Sequence, residues 1–153
     1  DMILPYIDKV SWNIIEQKHF VDWGRVNLED EVLKFNYSLD EVENCNCVIF
    51  GSSLQYLKDY KKYLKKICDR KCKYIILDRT AVCDEEWFSL EIVHEPIYEA
   101  KYPVRIFNEN ELIMAMEKMD YRLEMKWIKD PSEVLIVGKK LVRQKSFLFI
   151  KKC

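Results

Sequence analysis

Cys47-Val-Ile-Phe-Gly51 and, after a helical stretch, Tyr74-Ile-Ile-Leu77-Asp78 decide how this chain is read. Each is a short apolar run rich in β-branched and aromatic residues. The first stops at a glycine and the second at Asp78-Arg79-Thr80. Runs of this kind mark strands buried on both faces. Between them Leu54, Leu57, Tyr60, Tyr63, Leu64 and Ile67 recur at helical spacing, which predicts one long amphipathic helix starting after Ser52-Ser53. Strand, helix and strand at this spacing make a βαβ unit, whose crossover is right-handed in a parallel sheet.

Upstream, Met2 to Lys9 reads as the tail of a helix, Ser11 to Glu16 as a β-prone run, His19 to Leu28 as helix and Leu33 to Tyr37 as a short strand. Ser38 with Glu41 three residues on resembles a capping box opening one helical turn. Downstream, Ser89 to Pro103 has no helical period and reads as an extended insertion or lid. A helix begins at Asn108, and Tyr121 to Trp127, Val134 to Val137 and Ser146 to Ile150 read as strands. No repeat or linker divides the 153 residues, so a single domain is expected.

Composition narrows the functions. Twenty-five basic residues balance 26 acidic ones, leaving no global field to recruit nucleic acid or an anionic membrane. The lysines of 58–73 are interrupted by acids and tyrosines, as on a solvated helix face. No apolar run is long enough to span a membrane. Only three glycines occur, Gly24, Gly51 and Gly138, where average usage of about 7% would supply roughly eleven. They lie too far apart for a phosphate-cradling glycine loop. The six cysteines (Cys45, Cys47, Cys68, Cys72, Cys83 and Cys153), with two histidines, match zinc-ligand spacing poorly. No metal is expected, and free reduced thiols in a cytoplasmic protein are.

In open α/β sheets ligands bind beyond the carboxyl ends of the strands. Four such ends carry polar residues: Glu16-Gln17, Asn36-Tyr37, Gly51-Ser52-Ser53 and Asp78-Arg79. A carboxylate there can accept from both hydroxyls of a ribose. A glycine followed by small hydroxyl residues lets a ligand approach the backbone closely.

Four segments in order carry a resemblance: Ser-Trp-Asn-Ile-Ile-Glu-Gln-Lys-His-Phe-Val-Asp (11–22), Val-Ile-Phe-Gly-Ser-Ser-Leu-Gln-Tyr-Leu (48–57), Tyr-Ile-Ile-Leu-Asp-Arg-Thr (74–80) and Ile-Tyr-Glu-Ala-Lys-Tyr-Pro (97–103). Ser-Phe-Leu-Phe (146–149) closes the series. From about residue 11 to the C-terminus the chain resembles a family of class I methyltransferases that use S-adenosylmethionine (SAM) and are encoded with bacterial surface-polysaccharide genes. The resemblance implies an α/β, Rossmann-like sheet of parallel strands with a C-terminal antiparallel strand. It also implies an N-terminally incomplete domain, since the family's first strand and its Asp-Phe-Gly-Gly loop would precede Met2. The strands at Trp12 and Cys47 would then close up, exchange a strand with a second copy in a homo-oligomer, or pair with a partner.

Residue by residue, the resemblance implies SAM binding by Glu16 (ribose), Asn36 and Tyr37 (adenine), and Gly51, Ser52, Ser53, Gln55 and Tyr56 (methionine end). Asp78, Arg79, Tyr98 and Tyr102 would border a small-molecule acceptor, a sugar or similar metabolite. Two bland alternatives stand beside these roles: an internal Asp78–Arg79 ion pair, and packing for the two tyrosines. His19 and His94 are candidate bases by type alone. The alternative function is a non-catalytic module that oligomerises or binds a partner.

Overall fold

The computed structural model describes residues 10–96, 99–128, 134–137 and 140–152. The helix expected over Met2 to Lys9, and Tyr98, lie outside them. The chain forms two compact units, residues 1–44 and 45–153.

In the first unit β1 (Trp12–Ile15) pairs in parallel with β2 (Leu33–Asn36) through the helix α1 (Lys18–Asn27), a small β-α-β crossover. Its packing centres on Phe35, which lies flat against Gly24 of α1, with Val21 buried beside that glycine. Ser38 caps a 3-10 turn, Leu39–Glu41, by accepting from the Asp40 amide. The reciprocal half of the expected capping box is absent, because the Glu41 carboxylate pairs with Arg25 at 3.1 Å instead.

The second unit is built on β3 (Cys47–Gly51), α2 (Tyr60–Asp69), β4 (Tyr74–Cys83), β5 (Trp87–Val93), β6 (Ala100–Asn108), α3 (Glu109–Glu117), β7 (Tyr121–Trp127), β8 (Val134–Val137) and β9 (Lys140–Lys151). The parallel pair β3–β4 is in register Cys47↔Tyr74 through Gly51↔Asp78. Antiparallel β9 lies on the other edge of β4 and carries β7 and β8 on its own far edge. Further along, β4 meets β6 in parallel at Val82 and Cys83, and β5 closes an antiparallel hairpin on β6. Parallel strands with a C-terminal antiparallel strand are therefore what the chain forms.

The core follows the expected periodicities. Tyr60, Leu64, Ile67 and Cys68 bury one face of α2, while Lys61, Lys62 and Lys65 on the other are exposed. Ile75 and Leu77 of β4 and Phe147 and Phe149 of β9 are fully buried. Asn108 caps α3 by accepting from the Glu111 amide.

Four expectations are corrected. Strand β3 is not buried on both faces: Phe50 is inside, but Ile49 is 45% exposed. Among the described residues β3 has a ladder on one edge only, to β4, as β1 has only to β2. The single long helix is instead a 3-10 turn, Leu54–Tyr56, then a break, then α2. At the break the Lys58 carbonyl leaves the helical ladder and accepts from Arg105 at 3.3 Å. Strand β4 does not stop at Asp78. It bulges at Arg79, whose φ is 48°, and runs on to Cys83 because Ala81 and Val82 are buried against neighbouring strands. The stretch read as an extended insertion or lid over Ser89 to Pro103 instead belongs to the regular β5–β6 hairpin of the sheet.

The cysteines are not all free thiols either. Cys45 and Cys72 form a disulfide that ties the approach to β3 to the approach to β4. Cys47, Cys68 and Cys83 are free. No group of three metal-ligating side chains occurs among the described residues. Nor does any described helix have the length and apolarity to cross a membrane.

Candidate functional site

In the first unit the polar ends of β1 and β2 lie side by side, joined by a 3.2 Å bond from the Glu16 amide to the Asn36 carbonyl. The Glu16 side chain is exposed and accepts from the next amide, that of Gln17, at 2.9 Å. Asn36 is buried, with its Nδ2 donating to Asn13 Oδ1 at 3.1 Å. The Tyr37 hydroxyl donates to Asp22 Oδ1 at 2.6 Å, and the Arg25 guanidinium lies 4.4 Å from the ring centroid. The bond to Asp22 raises the Tyr37 pKa above its ordinary value. His19 packs against Phe20 with the rings tilted and their centroids 4.1 Å apart.

The second unit places its candidates where β3 ends and β4 bulges. Gly51 is paired with Asp78, and the Ser52 amide donates to the Asp78 carbonyl at 3.0 Å. Ser52 and Arg79, each following one of that pair, are left-handed at φ 52° and 48°. Non-glycine residues held in that region cost about 1–3 kcal/mol each and cluster at ligand sites. A Cβ placed on Gly51 would meet nothing within 4 Å, so open space lies beside this turn. The Asp78 carboxylate accepts from Ser146 Oγ at 2.8 Å and pairs with Arg79 at 3.0 Å, the ion pair of the bland alternative, here partly exposed.

Gln55 and Tyr56 follow in the 3-10 turn. Gln55 is 4% exposed; its amide nitrogen donates to the Arg79 carbonyl at 3.4 Å, and its Oε1 is buried without a partner. The Tyr56 hydroxyl donates to Glu91 Oε2 at 2.7 Å, and Tyr102 donates to Glu91 Oε1 at 3.5 Å. The two rings meet edge to face with centroids 5.3 Å apart. Burial, reinforced by the Glu91 carboxylate, drives the Tyr56 pKa well above its ordinary value.

Sequence reasoning missed Glu91, which lies directly opposite Tyr102 in the hairpin register. The available signal was a strand with Ser89 and Glu91 on one alternation and Phe88, Leu90 and Ile92 on the other. Arg105 was missed as well. Its guanidinium stacks near Phe88 at 4.3 Å and Tyr60 at 4.8 Å and pairs with Glu86. His94 follows β5 and lines an open cleft with Val93, Glu99 and Lys101.

No family model matches the chain, and no curated protein sequence does. Solved structures do. A SAM-dependent methyltransferase from Methanosarcina mazei superposes with a TM-score of 0.62 at 11% identity, covering 93% of this chain and 82% of its own. The glycopeptide N-methyltransferase MtfA, complexed with SAM, gives 0.59 at 8% identity over 98% and 76%. The 1,6-didemethyltoxoflavin-N1-methyltransferase of Burkholderia thailandensis, with 1,6-didemethyltoxoflavin and S-adenosylhomocysteine (SAH) bound, gives 0.53 at 12% identity over 91% and 59%. Identities this low speak to architecture, and the architecture of this chain is the Rossmann-like α/β fold of class I methyltransferases.

Proposed function

We propose that this chain serves SAM-dependent methyl transfer to a small acceptor, a sugar or a similar metabolite of the kind modified in surface-polysaccharide synthesis. The observation that carries the reading is the pair of left-handed turns at Ser52 and Arg79 on neighbouring strands, beside open space at Gly51. Backbone strain in a fold shared with SAM-dependent enzymes argues for a ligand held close to the main chain.

Within each unit the residue types suit the part of the cofactor that the resemblance assigns to them. Glu16 presents an exposed carboxylate suited to vicinal ribose hydroxyls, and Asn36 and Tyr37 would flank adenine. Gly51, Ser52 and Ser53 would hold the methionine end through backbone and hydroxyl contacts, with Gln55 and Tyr56 alongside. When bound, SAM supplies an electrophilic methyl group. The chain's own contribution is then to orient an acceptor oxygen or nitrogen in line and to exclude water. Asp78, Arg79 and Tyr102 would border that acceptor, together with Tyr98.

Calorimetric titration of SAM and SAH, with Glu16→Ala as control, tests the reading. Micromolar binding weakened in the variant supports it; no heat with millimolar ligand removes it.

A second reading, a module acting through assembly, is favoured by Phe20, Trp23 and Val26 of α1, exposed at 54%, 58% and 83%. A solution mass that stays monomeric at high concentration counts against self-assembly.

A further inference from the structure

Strand β5 is amphipathic in the unusual sense. Phe88, Leu90 and Ile92 are exposed at 59%, 56% and 46%, while Ser89 and Glu91 take the more covered side between Trp87 and Val93. Burial of apolar area alone would choose the opposite alternation. Two polar residues turned inward at the middle of the strand mean that this part of the covered side is arranged for something polar.

What it holds is rich in acceptors and short of donors. The hydroxyls of Tyr56 and Tyr102 both donate to Glu91, and the Gln55 amide nitrogen donates to the Arg79 carbonyl. Remaining on the acceptor side are the lone pairs of a half-buried carboxylate that the two tyrosines leave open. Among the described residues no basic side chain pairs with Glu91. A carboxylate drawn partly out of water without a cation is costly, and a glutamine would tie the hairpin to the turn just as well. The missing group is therefore a cation with several hydrogens to give, and the two tyrosine rings beside the carboxylate favour the same charge.

We propose that Glu91, Tyr56 and Tyr102 bind the ammonium group of a small amine. Its role as the methyl-acceptor site rests on the methyl-transfer reading above; the recognition itself does not. A hydroxyl compound of the same shape supplies one hydrogen where the ammonium supplies three, and no charge.

The test is an NMR titration of the labelled full chain with two amines, D-glucosamine and phenethylamine, each against its hydroxyl counterpart, D-glucose and 2-phenylethanol. SAH is titrated in parallel. At least one amine is expected to shift the signals of Glu91, Tyr56 and Tyr102 while its counterpart does not. Glu91→Gln keeps an oxygen for the Tyr56 hydroxyl, so the fold persists, yet it should weaken amine binding about ten- to a hundredfold. Tyr102→Phe should weaken it less. Silence from both amines, equal binding of amine and hydroxyl compound, or undiminished binding to folded Glu91→Gln overturns the proposal. SAH binding without amine binding removes this site and leaves methyl transfer standing. Amine binding at Glu91 without SAH binding does the reverse, and the site remains one of recognition only.

Discussion

Ser146 and Asp78, 68 residues apart in the chain, share a 2.8 Å hydrogen bond from the serine hydroxyl to the carboxylate. The same hydroxyl accepts from the Arg79 amide at 3.1 Å and is itself buried. One side chain of β9 thus holds both the acid and the left-handed residue of the β4 bulge. Replacing it removes a donor and an acceptor together and leaves the Arg79 amide without its partner. Ser146→Ala is expected to lower stability by about 1–3 kcal/mol. Urea unfolding followed by circular dichroism measures this, and an unchanged midpoint would mean the bulge holds itself.

Gly24 makes a separate prediction for the first unit. A Cβ there would sit 2.4 Å from Phe35 Cε1 and 2.5 Å from Cδ1, inside any tolerable contact. Alanine would gain about 1 kcal/mol of helix propensity in α1. Overpacking against a buried ring costs about 1–3 kcal/mol, so a net loss is expected. Thermal melts of Gly24→Ala beside an exposed Gly51→Ala control decide the sign. Gly51 has open space around it and should show no steric penalty.

The Cys45–Cys72 disulfide closes a loop across a sequence separation of 27. On the chain-entropy account such a link contributes about 3–4 kcal/mol by restricting the unfolded state. Unfolding with and without dithiothreitol should separate by that amount. Cys45→Ser should reproduce the reduced curve and become insensitive to the reductant.

Glu109 opens α3 and accepts from Lys145 and Lys126. Burial pushes its pKa up, but the two lysine hydrogen bonds outweigh it and the carboxyl lies below its ordinary 4.5. A depressed folded-state value means the contribution is complete above the unfolded pKa and is lost as pH falls through the folded one. Stability should therefore fall on the acid side of about pH 4.5. Glu109→Gln should flatten that limb while leaving the neutral-pH slope alone, as read by urea midpoints across the acid range.

Much of the architecture was legible in local pattern. The apolar runs at 47–51 and 74–77 become β3 and the first half of β4, and the period of Tyr60, Leu64 and Ile67 becomes the buried stripe of α2. Asn108 ends β6 and caps α3 where its side chain meets the orphan amides of the first turn. These features depend on residues a few positions apart, and so the amino-acid order alone determines them.

Tertiary structure decided the rest, because the forces concerned join residues far apart in the chain. Whether Ile49 is covered depends on which strands pair with β3, and its own sequence is silent on that. The helix expected from Leu54 onward breaks where the Lys58 carbonyl accepts from Arg105, 47 residues away. Glu91 becomes a site residue only when the hairpin register sets it against Tyr102 and carries it to Tyr56, 35 residues back. A hydrogen bond is short-ranged in space but indifferent to sequence separation. Composition and periodicity determined the strands and helices, and only the folded chain determined which polar groups they bring to the same place.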